Sequence, residues 1–330
     1  MKKYKAYLIE ETGENQFSGS IQELNTDDLP QGEVLVNVKY SSLNYKDALS
    51  ASGNRGVTKN YPHTPGIDAA GIVAESTNSR FRPGDEVIVT SYDLGMNTSG
   101  GFGQYIRVPA AWVVKLPSGL DLKSSMMFGT AGFTAGMSVF KILKETRPEN
   151  GEILVTGASG GVGSMAVAIL SKLGYEVVAV SGKESAREYL KHLGATRILT
   201  RQEALDKKER PLLKPQWAGV IDTVGGEILA NAIKATKPQG TITACGNVAS
   251  PNLPINVFPF ILRGVKLIGI DSQNCPIPQR ENIWATLAEK WKPTNLNTFT
   301  HEISLDELPG EIQKILSGKI TGRVIVNLSL

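Results

Sequence analysis

Two hydrophobic patterns divide the chain. The first part contains short apolar runs bounded by Gly, Pro, Asn or Asp, as in "GEVLVNVKYSSL", "AGIVAE", "GDEVIVTSY" and "GQYIRVPAAWVVKLP". Within the first of these runs, Val34, Val36 and Val38 alternate with other residues. Period-two alternation between turn residues is typical of β-strands. This part is therefore predicted to be mostly β.

The pattern changes at "SSMMFGTAGFTAGMSVFKIL", after which helical and strand-like stretches alternate. The strand "EILVTG" is followed by apolar residues at helical spacing, and "YEVVAVSG", "AGVIDTVGG", "GTITACGN" and "VKLIGIDS" are further strand candidates. Strands separated by helices predict a parallel, doubly wound sheet of the α/β class.

The last part of the chain differs from both. "SLDELPGEIQKILSG" is predicted to be one helix and "RVIVNL" a closing strand. The predicted organisation is a β-rich domain over residues 1–123, an α/β domain over 124–271 and a segment over 272–330 that returns to the first domain.

Composition and charge limit the class of protein. The chain has 330 residues, of which 41% are hydrophobic and 20% are charged. A net charge of +3 without a basic arm argues against nucleic acid as a partner. The sequence shows neither a signal peptide nor an apolar run of membrane-spanning length. With only two cysteines in the sequence, we expect a reduced, cytoplasmic protein.

The glycine-rich stretch "VTGASGGVGS" lies between a predicted strand and a predicted helix. It matches the dinucleotide fingerprint G-x-G-x-x-G except that Ala158 replaces the first glycine. The alternative is a plain strand-to-helix turn, but the flanking strand and helix favour phosphate binding. The residues expected to bind the pyrophosphate are Ser159, Gly160, Gly161 and Val162.

The end of the next strand bears on which dinucleotide binds. NAD sites usually carry an acidic residue there, bonded to the ribose 2′-hydroxyl. Here the strand ends in Ser181, Gly182 and Lys183, and Arg201 follows the next short strand, "RILT". Lys183 and Arg201 are read either as ligands of a 2′-phosphate or as solvated surface charges. Glu184 argues against NADP, yet the pattern as a whole predicts NADP(H).

Several sequence blocks resemble the medium-chain dehydrogenase/reductase superfamily over nearly the whole chain. "SSLNYKDAL", "GTAGFTA", "TGASGGVG" and "PFILRGVKLIGIDS" together resemble the zinc-independent branch of YhdH/YhfP-type quinone oxidoreductases, which includes acrylyl-CoA reductases. The resemblance implies a GroES-like, mostly β catalytic domain and a Rossmann NADP-binding domain. It also implies NADPH as hydride donor and a homodimer.

Zinc-dependent members of the superfamily hold their metal at positions that are changed here. Their cysteine ligand belongs near Asn44 and Tyr45, and their Gly-His-Glu motif near Gly66, Ile67 and Asp68. Because neither a thiol nor an imidazole stands at these positions, we expect no metal site. Without a metal to polarise an alcohol, hydride transfer to a quinone or an activated double bond is the favoured chemistry.

The "NYKD" stretch occupies the position of that metal site. By resemblance, Asn44 and Tyr45 would contact the cofactor, and Tyr45 would also orient the acceptor or donate a proton. The alternative for Tyr45 is packing. Asp47 is predicted either to assist the chemistry or to cap a helix. Lys46 either screens an anionic acceptor or faces water.

Further cofactor contacts are expected elsewhere in the chain. By resemblance, Thr130 would bring backbone to the nicotinamide; the alternative is a helix N-cap. Gly246 and Asn247 follow a strand and are expected to line the cofactor cleft, because ligands bind at the carboxyl ends of the strands. Ile270 and Ser272 would present backbone to the carboxamide by resemblance.

The function predicted from the sequence is NADPH-dependent, zinc-independent reduction of a quinone or an activated α,β-unsaturated carbonyl. If the acceptor were acryloyl-CoA, the cations Arg55, Lys59 and Arg280 would be candidates for binding the CoA ester. The alternative is a non-catalytic NADPH-binding redox sensor or structural protein, because nucleotide binding alone does not separate the two.

Overall fold

A computed structural model describes residues 2–206 and 210–330. Its strands are β1 (Lys3–Gly13), β2 (Gln16–Asn25), β3 (Val34–Leu43), β4 (Asp68–Ser76), β5 (Glu86–Thr90), β6 (Tyr105–Val108), β7 (Val113–Lys115), β8 (Ile153–Val155), β9 (Val177–Val180), β10 (Arg197–Leu199), β11 (Trp217–Asp222), β12 (Thr236–Ala244), β13 (Lys266–Gly269), β14 (Thr300–Ser304) and β15 (Arg323–Asn327). Its helices are α1 (Tyr45–Ala51), α2 (Leu122–Leu143), α3 (Gly161–Lys172), α4 (Arg187–His192), α5 (Gly226–Lys234), α6 (Phe258–Arg263), α7 (Ile277–Ala288) and α8 (Leu308–Leu316). Short 3-10 helices cover Thr26–Asp28, Ala110–Trp112, Pro148–Asn150, Glu184–Ala186 and Leu296–Phe299.

The chain divides into two compact units. The first comprises Met1–Thr130, Ser272–Glu289 and Leu296–Leu330, and the second comprises Ala131–Asp271 and Lys290–Asn295. The predicted domain boundaries lay at 123/124 and 271/272, so the last residues before Ala131 belong to the first unit rather than to the second.

The first unit is built on β-sheet. Strands β1 and β2 form an antiparallel hairpin, and a larger sheet has the order β14-β15-β3-β4-β5-β7, with β6 also pairing with β3. Strand β3 is covered on both faces: Val34, Val36 and Val38 belong to the main core cluster, whereas Leu35 packs in a smaller cluster beneath β1. The alternation in the sequence therefore distinguishes two buried faces rather than a buried and an exposed one.

The second unit contains a parallel sheet with the order β10-β9-β8-β11-β12-β13. The strand order reverses between β8 and β11, which is the switch point at which doubly wound sheets bind dinucleotides. Each strand candidate named from the sequence in this region corresponds to one of these strands. The predicted α/β class with a doubly wound parallel sheet is confirmed.

Helix α2 is interrupted by Gly129, whose backbone (φ 53°, ψ −158°) is not helical. By length and composition α2 could cross a membrane, whereas no segment of this kind is predicted from the sequence. However, 78% of its apolar window is buried, and core helices of globular proteins pass the same test. Burial in the protein core explains its apolar composition.

Candidate functional site

The glycine-rich loop connects β8 to α3 at the switch point of the parallel sheet. Gly160 is the N-cap of α3, so the predicted residues Ser159, Gly160, Gly161 and Val162 surround the first helical turn. A helix leaves its first N–H groups without partners inside the helix, and these groups suit an anion. Gly163 has no room for a side chain, because a Cβ there would meet the carbonyl oxygen of Gly157. The loop therefore has the close packing that the fingerprint requires.

A polar recess of about 280 Å³ lies at the carboxyl end of β9. We call it the Ser181 recess; its lining residues are Ser181, Gly182, Glu184, Thr200, Arg201 and Gln202. The buried Ser181 hydroxyl donates to Ser159 Oγ at 3.1 Å and accepts the backbone N–H of Lys183 at 3.1 Å. The recess is thus connected directly to the glycine-rich loop.

Two cations approach each other at the Ser181 recess. Burial, together with the nearby positive charge of Arg201, lowers the pKa of Lys183. The Arg201 guanidinium lies against Gly182, where an added Cβ would be 2.5 Å from Arg201 Nε. Glu184, the residue that argued against NADP, pairs with Arg187 at 3.0 Å. Like charges held close together favour an anion between them.

The ends of β11 and β12 lie beside the same loop in the second unit. Asp222 is buried; it accepts Thr156 Oγ1 at 2.6 Å and the backbone N–H of Gly225 at 2.8 Å, so it supports the strand ends. Gly246 and Asn247 follow β12 and pack against the turn after β11. Ile270 follows β13, and its N–H donates to the carbonyl of Ala244.

The "NYKD" stretch begins α1 in the first unit. Asn44 is the N-cap, and Asp47 in the first turn accepts the backbone N–H of Asn44 at 2.7 Å. Asp47 also accepts the backbone N–H of Ile67 at 2.8 Å and is completely buried. Burial and the nearby carboxylate of Asp68 raise the pKa of Asp47 to about 7, against the lowering effect of these N–H donors. The geometry of Asp47 is therefore that of a capping residue.

Asp68 is the centre of a buried hydrogen-bond network that the sequence analysis did not predict. Its carboxylate accepts Ser42 Oγ at 2.5 Å and Asn44 Nδ2 at 2.8 Å. It also accepts both the backbone N–H of Thr130, at 2.9 and 3.0 Å, and the Thr130 hydroxyl at 2.5 Å. We call Ser42, Asn44, Asp47, Asp68, Thr130 and Arg323 the Asp68 network. Asp68, rather than Thr130, supplies the acceptor for the helix segment after Gly129.

Arg323 is the positively charged member of the Asp68 network. It lies at the start of β15 and is 3% exposed. Its guanidinium donates to Ser42 Oγ at 2.7 Å and to Asn44 Oδ1 at 3.3 Å, and it lies 3.9 Å from the carboxylate of Asp68. A Cβ on Gly129 would collide with Ser42, Asp68 and Arg323, and its positive φ adds to the requirement for glycine there.

Tyr45 and Lys46 differ from their buried neighbours. Tyr45 is 43% exposed, and within residues 2–206 and 210–330 no hydrogen bond of its hydroxyl is observed. Lys46 is half-buried; its ammonium donates to Gln273 Oε1 at 2.8 Å and lies 3.9 Å from the sulfur of Met96. Lys46 is therefore held by the protein instead of simply facing water.

The cations proposed for a CoA ester are not equally available. Arg280 is completely buried, and its guanidinium donates to the carbonyl of Ser272, so its assignment to a CoA ester is wrong. Arg55 is exposed and pairs with Glu11 at 2.6 Å, and Lys59 is exposed. The sequence alone did not show that Arg280 is buried in the core.

In the part of the chain that the structure describes, no group of three or more His, Cys, Asp or Glu side chains is placed to hold a metal ion. The proposed lack of a metal site therefore stays a prediction for direct metal analysis.

Comparison with known proteins identifies the family. The profile "Alcohol dehydrogenase GroES-like domain" matches residues 30–118, and the profile "Zinc-binding dehydrogenase" matches residues 161–289. The acrylyl-CoA reductase AcuI of Ruegeria pomeroyi is 43% identical over 321 residues, which cover 97% of each chain. The chain belongs to the medium-chain dehydrogenase/reductase superfamily. The resemblance seen in the sequence is confirmed, including the GroES-like and Rossmann domains.

Solved structures of other superfamily members agree closely with this one. The YhdH oxidoreductase of Salmonella enterica, solved in complex with NADP, has a TM-score of 0.95 at 44% identity and covers 98% of this chain and 99% of its own. Bacillus subtilis YhfP, solved with NAD bound, has a TM-score of 0.96 at 43% identity and covers 99% and 100%. Both belong to the branch that the sequence blocks indicated.

Neither Asp68 nor Arg323 is predicted from the sequence as part of the Asp68 network. Asp68 stands where zinc-dependent relatives have Gly-His-Glu. A charged residue inside the otherwise apolar strand stretch "PGIDAAGIV" was the available signal, since buried carboxylates need partners. No comparable signal marks Arg323 near the end of the chain.

Proposed function

We propose that this protein is an NADPH-dependent, zinc-independent reductase that transfers hydride to a quinone or an activated α,β-unsaturated carbonyl, with acryloyl-CoA as a candidate acceptor. The observation that carries the proposal is the pair of cations at the Ser181 recess, beside a dinucleotide loop. The relatives solved with NADP and named acrylyl-CoA reductase support the same assignment. No observation favours a non-catalytic sensor.

The coenzyme would be held by groups of the second unit. Lys183 and Arg201 would bind the 2′-phosphate, because the anion relieves the repulsion between their charges. The N–H groups around Gly160 and Gly161 would bind the pyrophosphate. Gly246, Asn247, Ile270 and Ser272 remain proposed contacts for the rest of the coenzyme. NADPH, when bound, supplies the hydride.

The acceptor would be bound by residues of the first turn of α1. The exposed Tyr45 hydroxyl would donate a hydrogen bond to the acceptor carbonyl and stabilise the negative charge that develops on its oxygen. Lys46 would attract an acceptor that carries negative charge. Asn44, Asp47 and Thr130, whose polar groups are engaged in the Asp68 network, would hold this turn in place.

We also propose a homodimer formed through β13. This strand is at the edge of the parallel sheet. The adjacent helix α6 exposes large apolar side chains: Phe258 is 42% exposed, Ile261 66% and Leu262 64%. An edge strand beside an exposed apolar patch suits pairing with a second copy. Light scattering at micromolar concentration tests this, and a monomer there would contradict it.

Acceptor-dependent loss of NADPH absorbance tests the proposed reaction. Quinones, enones and enoyl-CoA esters are offered to the purified protein with NADPH, and separately with NADH. We expect turnover with at least one acceptor class and a preference for NADPH. Tight NADPH binding without consumption for any acceptor would instead support the non-catalytic alternative. Activity should persist after chelation; stoichiometric zinc with loss of activity on chelation would contradict zinc independence.

The proposed location is the cytoplasm. Neither cysteine is in a disulfide: Cys245 is partly exposed and Cys275 is buried. Cysteines without disulfides suit a reducing compartment.

A further inference from the structure

Arg280 is a buried cation that binds one short segment of the first unit. Its Nη2 donates to the carbonyls of Ser272 at 2.8 Å and Gln273 at 3.2 Å, and its Nε lies 3.5 Å from the carbonyl of Cys275. Its Nη1 donates to both oxygens of Thr90 at 2.9 Å. These bonds tie residues 272–275 to the end of β5.

The turn that follows β5 holds the same segment from another side. The N–H of Tyr92 donates to the carbonyl of Gln273 at 3.2 Å, and its hydroxyl donates to the carbonyl of Cys275 at 3.0 Å. The Arg280 guanidinium lies 4.4 Å from the centre of the Tyr92 ring. We call Arg280, Tyr92 and residues 272–275 the Arg280 clamp.

The backbone of this turn is unusual. Ser91 and Tyr92 both have positive φ, 64° and 52°, although neither is glycine. Such conformations persist only where surrounding contacts impose them, and they concentrate at functional sites. Ser91 is held by the carbonyl of Ile67 at 2.8 Å and by the hydroxyl of Thr130 at 3.0 Å. The clamp is therefore continuous with the Asp68 network.

The clamped segment reaches the proposed acceptor site through one side chain. Gln273, whose carbonyl is bound by both Arg280 and Tyr92, uses its Oε1 to accept the ammonium of Lys46 at 2.8 Å. Lys46 follows Tyr45 in the first turn of α1. The position of the Lys46 ammonium thus depends on where the backbone of Gln273 is fixed.

We propose that Arg280 is a positioning residue for acceptor binding, which acts through the clamped backbone of Gln273 to hold the Lys46 ammonium at the first turn of α1, the turn that also carries Tyr45. This inference rests on the proposed reductase function and adds to it a preference for acceptors with negative charge. A lysine free to sample many rotamers would bind such an acceptor less well, because ordering it costs entropy at each binding event.

Steady-state kinetics with an anionic enoyl-CoA ester and an uncharged enone test this inference. We expect Gln273→Leu and Arg280→Lys each to lower kcat/KM for the anionic acceptor about tenfold, mainly through KM, with little change for the enone. Lys46→Met should have at least the same effect, and adding Gln273→Leu to it should cause no further loss. Arg80→Lys is the control, since Arg80 is exposed and pairs with Glu281 near the start of α7.

Acylation of Lys46 by an amine-reactive reagent, followed by mass spectrometry, gives a readout that does not depend on turnover. Gln273→Leu and Arg280→Lys should increase the acylation rate of Lys46 several-fold relative to the exposed Lys59. If wild-type protein reduces no acceptor, the proposed function fails while this measurement still reports on the clamp. If the enzyme is active but Lys46→Met has wild-type kinetics, or Lys46 acylation is unchanged in Arg280→Lys, the inference is wrong. Should Arg280→Lys fail to fold, Thr90→Val, which removes the side-chain acceptor of Arg280 Nη1, decides by the same two measurements.

Discussion

The Ser181 recess and the Asp68 network both contain ionised side chains, but they place those charges in opposite surroundings. At the recess, Lys183 is half-buried and Arg201 is exposed, and each repels the other. In the Asp68 network, Asp68 and Arg323 are buried and hydrogen-bonded to several protein groups. The first arrangement places like charges near the protein surface beside the dinucleotide loop, whereas the second pairs opposite charges within the fold.

Charged residues of the Ser181 recess are expected to bind a ligand, whereas those of the Asp68 network stabilise the fold. A buried charge is tolerated only when it is paired and hydrogen-bonded, so removing one partner leaves the other uncompensated. A partly exposed cation costs little when it is removed, and its main effect should be on the anion that it binds. Mutations in the two regions should therefore affect different measurements.

The largest expected effect is on stability. Arg323→Met should lower the free energy of unfolding by about 3–5 kcal/mol, because Asp68 would be left buried without its cation. Denaturant unfolding measures it. The matched control is Arg80→Met, which removes an exposed pair and should cost about 0–1 kcal/mol. A similar decrease in the free energy of unfolding for the two variants would contradict the stabilising role of the Asp68 network.

Tyr45→Phe should affect the reaction without affecting stability, because Tyr45 is exposed, whereas Asn44 and Lys46 are half-buried and Asp47 is buried. We expect turnover to fall on the order of a hundredfold with little change in the melting temperature. Steady-state kinetics and thermal unfolding check this. An equal loss in turnover and in NADPH affinity would indicate that Tyr45 is a cofactor ligand. Unchanged kinetics would indicate that Tyr45 only packs against its neighbours.

Lys183→Ala should raise the Michaelis constant for NADPH roughly tenfold to two-hundredfold, because a charged hydrogen bond to the 2′-phosphate is lost. The constant for NADH should hardly change, and the effect should shrink as salt rises. Lys191→Ala is the control, since Lys191 pairs with Glu188 on the surface of α4. Equal weakening of NADPH and NADH would contradict the assignment of this recess.

Gly182→Ala tests the same recess without changing any charge. The new Cβ would displace the Arg201 guanidinium, so NADPH affinity should fall roughly threefold to tenfold while NADH affinity is kept. Gly310→Ala is the control, because nothing lies within 4 Å of the position that its Cβ would take. Binding titrations with both coenzymes measure this effect. An unchanged NADPH affinity would show that Arg201 does not contribute to NADPH binding.

The smallest effect concerns the pH dependence of stability. The pKa of Asp47 is raised from 3.8 to about 7 in the folded protein, so the folded state binds the proton more tightly than the unfolded state. This contribution is complete below the unfolded pKa and is lost as pH rises toward and through 7. Between pH 6 and 7 the loss should be roughly 1 kcal/mol. Unfolding of wild type and Asp47→Asn measures it; equal pH slopes would contradict the raised pKa.

Much of the second unit could be predicted because its signals are local. The loop "VTGASGGVGS" carries its glycines next to the strand and the helix that they connect, and Ser181, Gly182 and Lys183 follow one strand directly. Arg201 was predicted as a second cation because it follows the next short strand, and the parallel pairing of β9 with β10 brings it against Gly182. The organisation of the first unit's polar residues was harder to predict. Asp47 was correctly given capping as one alternative, since that contact lies within four residues.

The sequence alone determined the two patterns of secondary structure, the dinucleotide loop and the residues at the strand ends, because each depends on neighbours a few positions away. Only the tertiary structure decided that Asp68 binds Thr130, that Arg323 lies beside both Ser42 and Asn44, and that Arg280 is in the core. These contacts join residues from distant parts of the chain. Whether a charged side chain binds a ligand or supports the fold depends on its burial and partners, and neither is written in the residues adjacent to it.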